Sequence, residues 1–261
     1  MQNKLTKELA VCGVNAVAAL GAEHPEIVNR LFIREDRFPL FTKVCKQLAL
    51  RKRPYKICED EELERITKSV HHQGVAAMIL APEIDNISKD DMDFWAEESK
   101  VGILLHSVGN DHNLGAIVRS AAFFGVHFII ISEKDSEARL TTSAYRVAEG
   151  GMEYVVFRKV LNTEGFLNAA SKALVTIGAE PRARQRISDL EGIIQSKNKS
   201  SDAARPGILL IMGNEETGLP QSVKDQCSAL VRIPGTGVIE SLNVAQAATL
   251  FLYELFAAKR L

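Results

Sequence analysis

From Gly102 onward the chain alternates short apolar runs with amphipathic helical stretches, a pattern that leaves few architectures open. Runs such as Ile208-Leu209-Leu210-Ile211-Met212 have no polar face, so a strand made of them must be buried on both sides. Strands are expected at Ile103–Ser107, His127–Ile131, Tyr154–Phe157, Leu174–Ile177, Ile208–Met212 and Leu230–Ile233. Helices are expected at Leu114–Phe124, Thr141–Ala148, Glu164–Lys172, Ser222–Ser228 and Leu242–Lys259. Strands separated by helices imply an α/β fold with a mainly parallel sheet covered on both faces. Such sheets bind ligands in the loops beyond the carboxyl ends of their strands. Attention therefore falls on the loops after 103–107, 208–212 and 230–233.

The first eighty residues form a smaller alternating unit. Helical patterns lie near Val14–Leu20, Phe38–Leu50 and Asp60–Lys68, and strand-like runs at Arg30–Arg34, Pro54–Cys58 and Gly74–Leu80. Charge separates the parts. Residues 1–80 carry 13 Lys/Arg against 10 Asp/Glu, residues 81–100 carry 2 against 7, and residues 101–261 carry 17 against 16. A basic head (1–80), an acidic, proline-containing linker (81–100) and a neutral body (101–261) are expected. Arg51, Lys52 and Arg53 cluster in the head with Lys56 close by. By itself such a cluster is a solvated surface; it becomes a phosphate-contacting patch only if another feature points to RNA.

No apolar run approaches the roughly 20 residues of a membrane span, and Met1–Glu8 lack the apolar core of a secretory signal. Cys12, Cys45, Cys58 and Cys227 are scattered, without paired spacing or histidine partners. Neither a disulfide framework nor a metal site is expected, and reduced thiols fit a cytoplasmic protein.

Three loops carry unusual chemistry. The first runs Gly109-Asn110-Asp111-His112-Asn113-Leu114-Gly115-Ala116-Ile117-Val118-Arg119. Asn113 stands where a helix cap is expected, which alone would explain it. Arg119 interrupts a largely apolar helical run, and either snorkels to solvent or grips an anion bidentately. The second, Met212-Gly213-Asn214-Glu215-Glu216-Thr217-Gly218-Leu219-Pro220, has two glycines that permit a tight turn and close approach of backbone to a ligand. The third, Ile233-Pro234-Gly235-Thr236-Gly237-Val238-Ile239-Glu240-Ser241-Leu242-Asn243-Val244, sets Ser241 and Asn243 before a helix, where Ser241 could serve as an ordinary cap.

Together these segments resemble the three signature motifs of the TrmH/SpoU family within the SPOUT superfamily, in the family's order. Ala148–Glu153 resembles a further family motif, and His72-Gln73-Gly74-Val75 resembles the end of an L30-like RNA-binding domain. His106-Ser107-Val108-Gly109-Asn110 and the AEGG run are most similar to the YfiF-type members. The resemblance covers nearly the whole chain outside residues 81–100. It implies a C-terminal parallel α/β domain with a deep trefoil knot, an exception to the rule that chains are unknotted, and a homodimer. It also implies S-adenosylmethionine-dependent methylation of a ribose 2′-hydroxyl in structured RNA, ribosomal ahead of transfer RNA. Carried over by position, Asn113, Arg119, Glu215, Ser241 and Asn243 are the expected catalytic set. Gly213, Asn214, Glu215, Gly218, Ile233, Pro234, Gly237 and Leu242 are expected around the cofactor, and Arg51, Lys52, Arg53 and Arg119 against RNA. Gly235, Glu216 and Ala245-Gln246 depart from common family residues, and none of these is a polar catalytic position.

A nonenzymatic RNA-binding paralogue would keep the fold and lose loop polar groups, yet all five catalytic positions are filled. A nicotinamide- or nucleotide-binding enzyme would need GxGxxG or GxxxxGK[ST], and neither occurs.

Overall fold

The computed structural model describes residues 8–132, 140–197 and 205–257. Residues 1–7, which belong to the N-terminal segment read above, and the expected last residues of the final helix lie outside them. The described residues fall into two compact units that do not follow chain order. One draws on residues 8–83, 114–119 and 140–154, the other on 84–113, 120–132, 155–197 and 205–257.

The first unit holds strands β1 (Glu8–Cys12), β2 (Val28–Ile33), β3 (Tyr55–Ile57) and β4 (Val75–Leu80) in the order β1-β4-β2-β3. β4 runs antiparallel to both β1 and β2, while β3 joins β2 in parallel. Helices α1 (Val14–Glu23), α2 (Thr42–Leu50) and α3 (Asp60–Thr67) complete it. The helical pattern expected from Phe38 to Leu50 breaks in two. Glu35–Phe41 is a 3-10 turn containing Pro39, and the α-helix starts at Thr42. Proline supplies no N–H to an α-helical ladder, so the regular helix begins beyond it. α1 begins where Gln73 Oε1 accepts the Val14 N–H at 2.8 Å, which gives the His-Gln-Gly run a structural role.

Helix α6 (Thr142–Ala148) and the 3-10 turn Gly151–Tyr154 belong to this unit. Asn15 Nδ2 donates to Glu149 Oε2 at 2.7 Å, fastening the Ala-Glu-Gly-Gly run to α1. Glu153 follows, with its side chain only 6% exposed and its Oε2 3.9 Å from His24 Nε2. Removal from water pushes this carboxyl up from 4.5 to about 7, against the opposing pull of His24. The folded value lies above the unfolded one, so the native state holds the proton more tightly. Stability from this group is complete below about pH 4.5 and declines as pH rises through 7. Glu153→Gln is therefore expected to raise the unfolding free energy obtained from urea titration at pH 8, by up to about 3 kcal/mol, and to lose that advantage near pH 4.5. A pH-independent difference between the two chains would contradict this account.

The second unit is built on seven parallel strands: β5 (Val101–Leu105), β6 (Phe128–Ser132), β7 (Val156–Val160), β8 (Val175–Ala179), β9 (Gln185–Arg186), β10 (Ile208–Met212) and β11 (Ala229–Arg232). Their order is β7-β6-β5-β10-β8-β11-β9, and every pairing is parallel. β5, β6 and β10 are buried along their full length, as their unbroken apolar sequences require. The helices are α4 (Lys89–Glu97), α7 (Thr163–Ala173), α8 (Leu190–Lys197), α9 (Gln221–Lys224) and α10 (Val244–Ala257), with the two ends of α5 (Asp111–Phe124), whose Leu114–Arg119 stretch belongs to the first unit. β1, β9 and α8 stand outside the sequence expectations.

The acidic segment joins the core of this unit. Ser88 and Asp91 form a capping box at the start of α4, and Arg158 binds Asp91 in turn. Trp95 is fully buried, its ring 4.9 Å from that of Phe128 and tilted by 32°, and its Nε1 donates to the carbonyls of Lys100 and Ile208. No helix among the described residues is long and apolar enough to cross a membrane. All four cysteines are free, and burial raises their thiols, that of Cys12 to about 11.

Candidate active site

The strand order sets β10, β8 and β11 side by side, so the loops leaving their carboxyl ends are neighbours. They enclose a cleft of about 390 Å³, of a size typical of small-ligand sites. Gly213–Gly218 from the second loop, Ile233 and Glu240–Leu242 from the third, and Val244, Ala247 and Phe251 of α10 line it. Pro234 and Gly237 lie on the same loop outside that lining. The sequence reading missed the loop after β8. Ala179–Arg182 forms one wall, and the rule that ligands sit beyond carboxyl ends applied to β8 as much as to its neighbours.

A continuous chain of hydrogen bonds ties the three loops together. Asn243 Oδ1 accepts the N–H groups of Ala245 and Gln246 at 2.9 and 3.4 Å, so Asn243, rather than Ser241, caps α10. Its Nδ2 donates to Asn113 Oδ1 at 3.0 Å, and Asn113 Nδ2 donates to Glu215 Oε1 at 2.6 Å. Asn113 is not the helix cap that its position suggested. α5 starts earlier, at Asp111, and Asn110 accepts the His112 N–H. Freed from capping, the Asn113 amide joins the first loop to the other two. Because Asn243 Oδ1 must face backbone donors, the orientation of each amide along the chain follows from its neighbour.

Asn214 organises the second loop. Its Oδ1 accepts from Glu216 N, Thr217 N and Thr217 Oγ1, and its Nδ2 donates to Ser107 O at 2.7 Å. The side chain is fully engaged, so contact with a ligand here falls to the loop's backbone. Gly213 allows the loop to close on itself: a Cβ there would lie 2.6 Å from the Gly218 carbonyl carbon. Gly218 has φ +68°, and a Cβ there would meet nothing within 4 Å.

Two ion pairs mark the rim, Arg182–Glu240 at 2.6 Å and Lys224–Glu180 at 2.5 Å. Ser241 and Leu242 are exposed beside Glu240. Arg119 is exposed on α5, six residues beyond Asn113 and about 9 Å along the helix axis. In the head, Arg51 and Lys52 are exposed, whereas Arg53 donates to Val28 O and Asn29 Oδ1 and braces β2.

Comparison with known proteins bears directly on this constellation. Residues 100–253 match the SpoU rRNA methylase family, and residues 10–84 match the family of RNA 2′-O ribose methyltransferase substrate-binding domains. The chain belongs to the SpoU rRNA methylase family. The tRNA/rRNA methyltransferase YfiF of Escherichia coli O157:H7, itself uncharacterised, is 26% identical over 97% of this chain and 69% of its own length. The 23S rRNA (guanosine-2′-O-)-methyltransferase RlmB of Acinetobacter baylyi is 31% identical over 93% of this chain and 94% of its own length. Among solved structures, the SpoU methyltransferase AviRb from Streptomyces viridochromogenes, in complex with AdoMet, covers 98% of this chain and 92% of its own, with a TM-score of 0.73 at 21% identity. An rRNA methyltransferase from Sinorhizobium meliloti covers 98% of this chain and 89% of its own, with a TM-score of 0.74 at 21% identity. At those identities the structural likeness speaks to the fold.

Family membership makes the chain an RNA methyltransferase, and structures that share its fold hold bound AdoMet, S-adenosylmethionine. The cleft suits that molecule. It offers an apolar side at Leu242, Val244 and Phe251, the Glu215 carboxylate, and open space over Gly218.

Proposed function

We propose that the chain methylates the ribose 2′-hydroxyl of a structured RNA, ribosomal in preference to transfer RNA. The observation that carries this reading is the hydrogen-bond chain Asn243–Asn113–Glu215 beside the cleft. It holds polar groups of all three loops in one arrangement before any substrate arrives, the preorganisation that positioning catalysis requires. The 23S rRNA activity of the RlmB relatives favours ribosomal RNA.

Bound in the cleft, S-adenosylmethionine supplies a methyl group on a positively charged sulfur. Backbone of Gly213, Asn214 and Gly218, together with Glu215, Ile233 and Leu242, would hold it. Asn113, Glu215, Ser241 and Asn243 would orient the ribose hydroxyl, whose oxygen gains the methyl while its proton leaves to solvent. Arg119 would grip the adjacent phosphate, since a guanidinium does not act as a base at neutral pH.

The division of labour is equally part of this reading. Residues 1–80 would serve as the L30-like RNA-binding head, with Arg51, Lys52 and Arg53 its contacts, and 101–261 as the methyltransferase body, which residues 84–100 join through α4 and Trp95. The interleaved strand order, in which β10 enters between β5 and β8, supports a knotted chain. A cytoplasmic homodimer completes the proposal. Most of the apolar face of α10 is core, with Phe251, Leu252 and Leu255 buried. The dimer rests instead on Phe123, Leu250 and Tyr253, which are 80%, 41% and 60% exposed. Ser120 and Thr249 bond at 2.7 Å and hold α5 against α10.

Transfer of labelled methyl to bacterial 23S ribosomal RNA and to bulk transfer RNA, followed by mapping of 2′-O-methyl sites, tests the substrate. Methylation of transfer RNA alone would overturn the ribosomal preference. A monomeric mass by light scattering at micromolar concentration would overturn the dimer.

A further inference from the structure

Between β8 and the edge strand β9, Pro181-Arg182-Ala183-Arg184-Gln185-Arg186 places three arginines in five residues, with no acid among them. All three side chains are exposed. Arg182 lies on the cleft rim, and the other two carry the charge outward along the sheet edge.

We propose that Arg182, Arg184 and Arg186 form a contact strip for the phosphates of the RNA substrate beside the cofactor cleft. The proposal rests on the RNA methyltransferase reading and adds a contact in the body of the enzyme, apart from the head.

Three observations carry it. β9 pairs with β11 so that Arg186 stands in register with Arg232. Cross-strand partners project on one face with Cβ atoms roughly 5 Å apart, where like charges repel unless an anion lies between them. Arg232 also has a buried Nε with no hydrogen-bond partner among the described residues. Secondly, the nearby acids are mostly committed elsewhere. Glu180 is bound to Lys224, and Asp189 accepts the backbone N–H of Arg186 at 3.0 Å. Arg184 and Arg186 form no ion pair among the described residues, whereas Arg182 does. Thirdly, the Arg182–Glu240 pair is 83% and 73% exposed, so water and salt weaken it and a phosphate can displace the carboxylate. Glu240 precedes Ser241, so a phosphate on Arg182 would settle next to the residues that face the reacting ribose. Arginine suits the task, because its fork meets phosphate oxygens two at a time.

The test uses the full chain with Arg184→Gln and Arg186→Gln together, sparing the cleft-lining Arg182. Filter binding to deproteinised 23S ribosomal RNA and to bulk transfer RNA is measured across a salt series, and S-adenosylmethionine affinity by calorimetry. RNA affinity should fall about tenfold, and the slope of log K against log salt should become shallower by about 1.4, or roughly 0.7 for each lost phosphate contact on single-stranded RNA. Cofactor affinity should stay as in the wild type. Lysines at both positions should restore the slope, which lost packing would not explain. An unchanged RNA affinity and slope overturns the strip while leaving the parent reading intact, and so does a loss confined to cofactor binding. A wild-type chain that binds neither RNA and methylates neither overturns the parent reading and this inference together.

Discussion

Gly218→Val should reduce S-adenosylmethionine affinity by at least a hundredfold, about 2.7 kcal/mol, without unfolding the protein. Gly218 sits at the cleft wall with φ +68° and open space where a side chain would stand. A valine there would project into that space and compete with the ligand for it. Two effects must be separated. A left-handed backbone costs a branched residue roughly 1–2 kcal/mol, a tolerable fraction of the 5–15 kcal/mol that holds an ordinary domain. Gly218→Ala shares the strain but adds one carbon. If occlusion dominates, affinity declines in the order Gly, Ala, Val while the melting temperatures of the two variants stay close. If alanine and valine lose affinity equally, strain in the loop is responsible. Wild-type affinity in the valine variant would remove the cleft as the cofactor site.

The other large effect is expected at Arg119. Arg119→Ala should lower single-turnover methylation by about 10²–10³, the loss usual when one preorganised charged donor is removed from a reacting centre. Cofactor and RNA binding should change only a few-fold. Helix α5 buries an apolar face, and its first turn carries Asn113 into the hydrogen-bond chain. A long cation exposed two turns later on that helix is poorly explained by packing. Arg119→Lys discriminates further, since lysine keeps the charge and loses the bidentate fork. Partial recovery by lysine is the signature of a phosphate anchor. Full turnover in the alanine variant would remove Arg119 from the catalytic set.

Much of the body was legible in the residues. Ile208–Met212 is a strand with the expected bounds because five consecutive apolar residues allow little else. The strand read as Tyr154–Phe157 instead runs Val156–Val160, with Tyr154 in a 3-10 turn. Arg158 and Lys159 break the apolar pattern there, and the Arg158 charge is met by Asp91, far away in sequence. The two-residue β9 carries no periodic signal and exists through its pairing with β11.

The same line divides the site. Periodicity and glycine placement marked the three loops, since backbone freedom and strand ends are local properties of the chain. Contacts between distant residues are not local, so pairing alone decided the rest. Asn113 read as a cap from its neighbours; the bonds to Glu215 and Asn243, 102 and 130 residues away, gave it a different task. Trp95 read as part of an acidic connector, yet it is buried in the core of the second unit. The wall after β8 joined the cleft only because β8 lies between β10 and β11. Sequence alone determined which segments could form strands, helices and ligand-binding turns, through short-range sterics and burial. The tertiary structure determined which of those ends meet, because strand order is settled by the packing of the whole sheet.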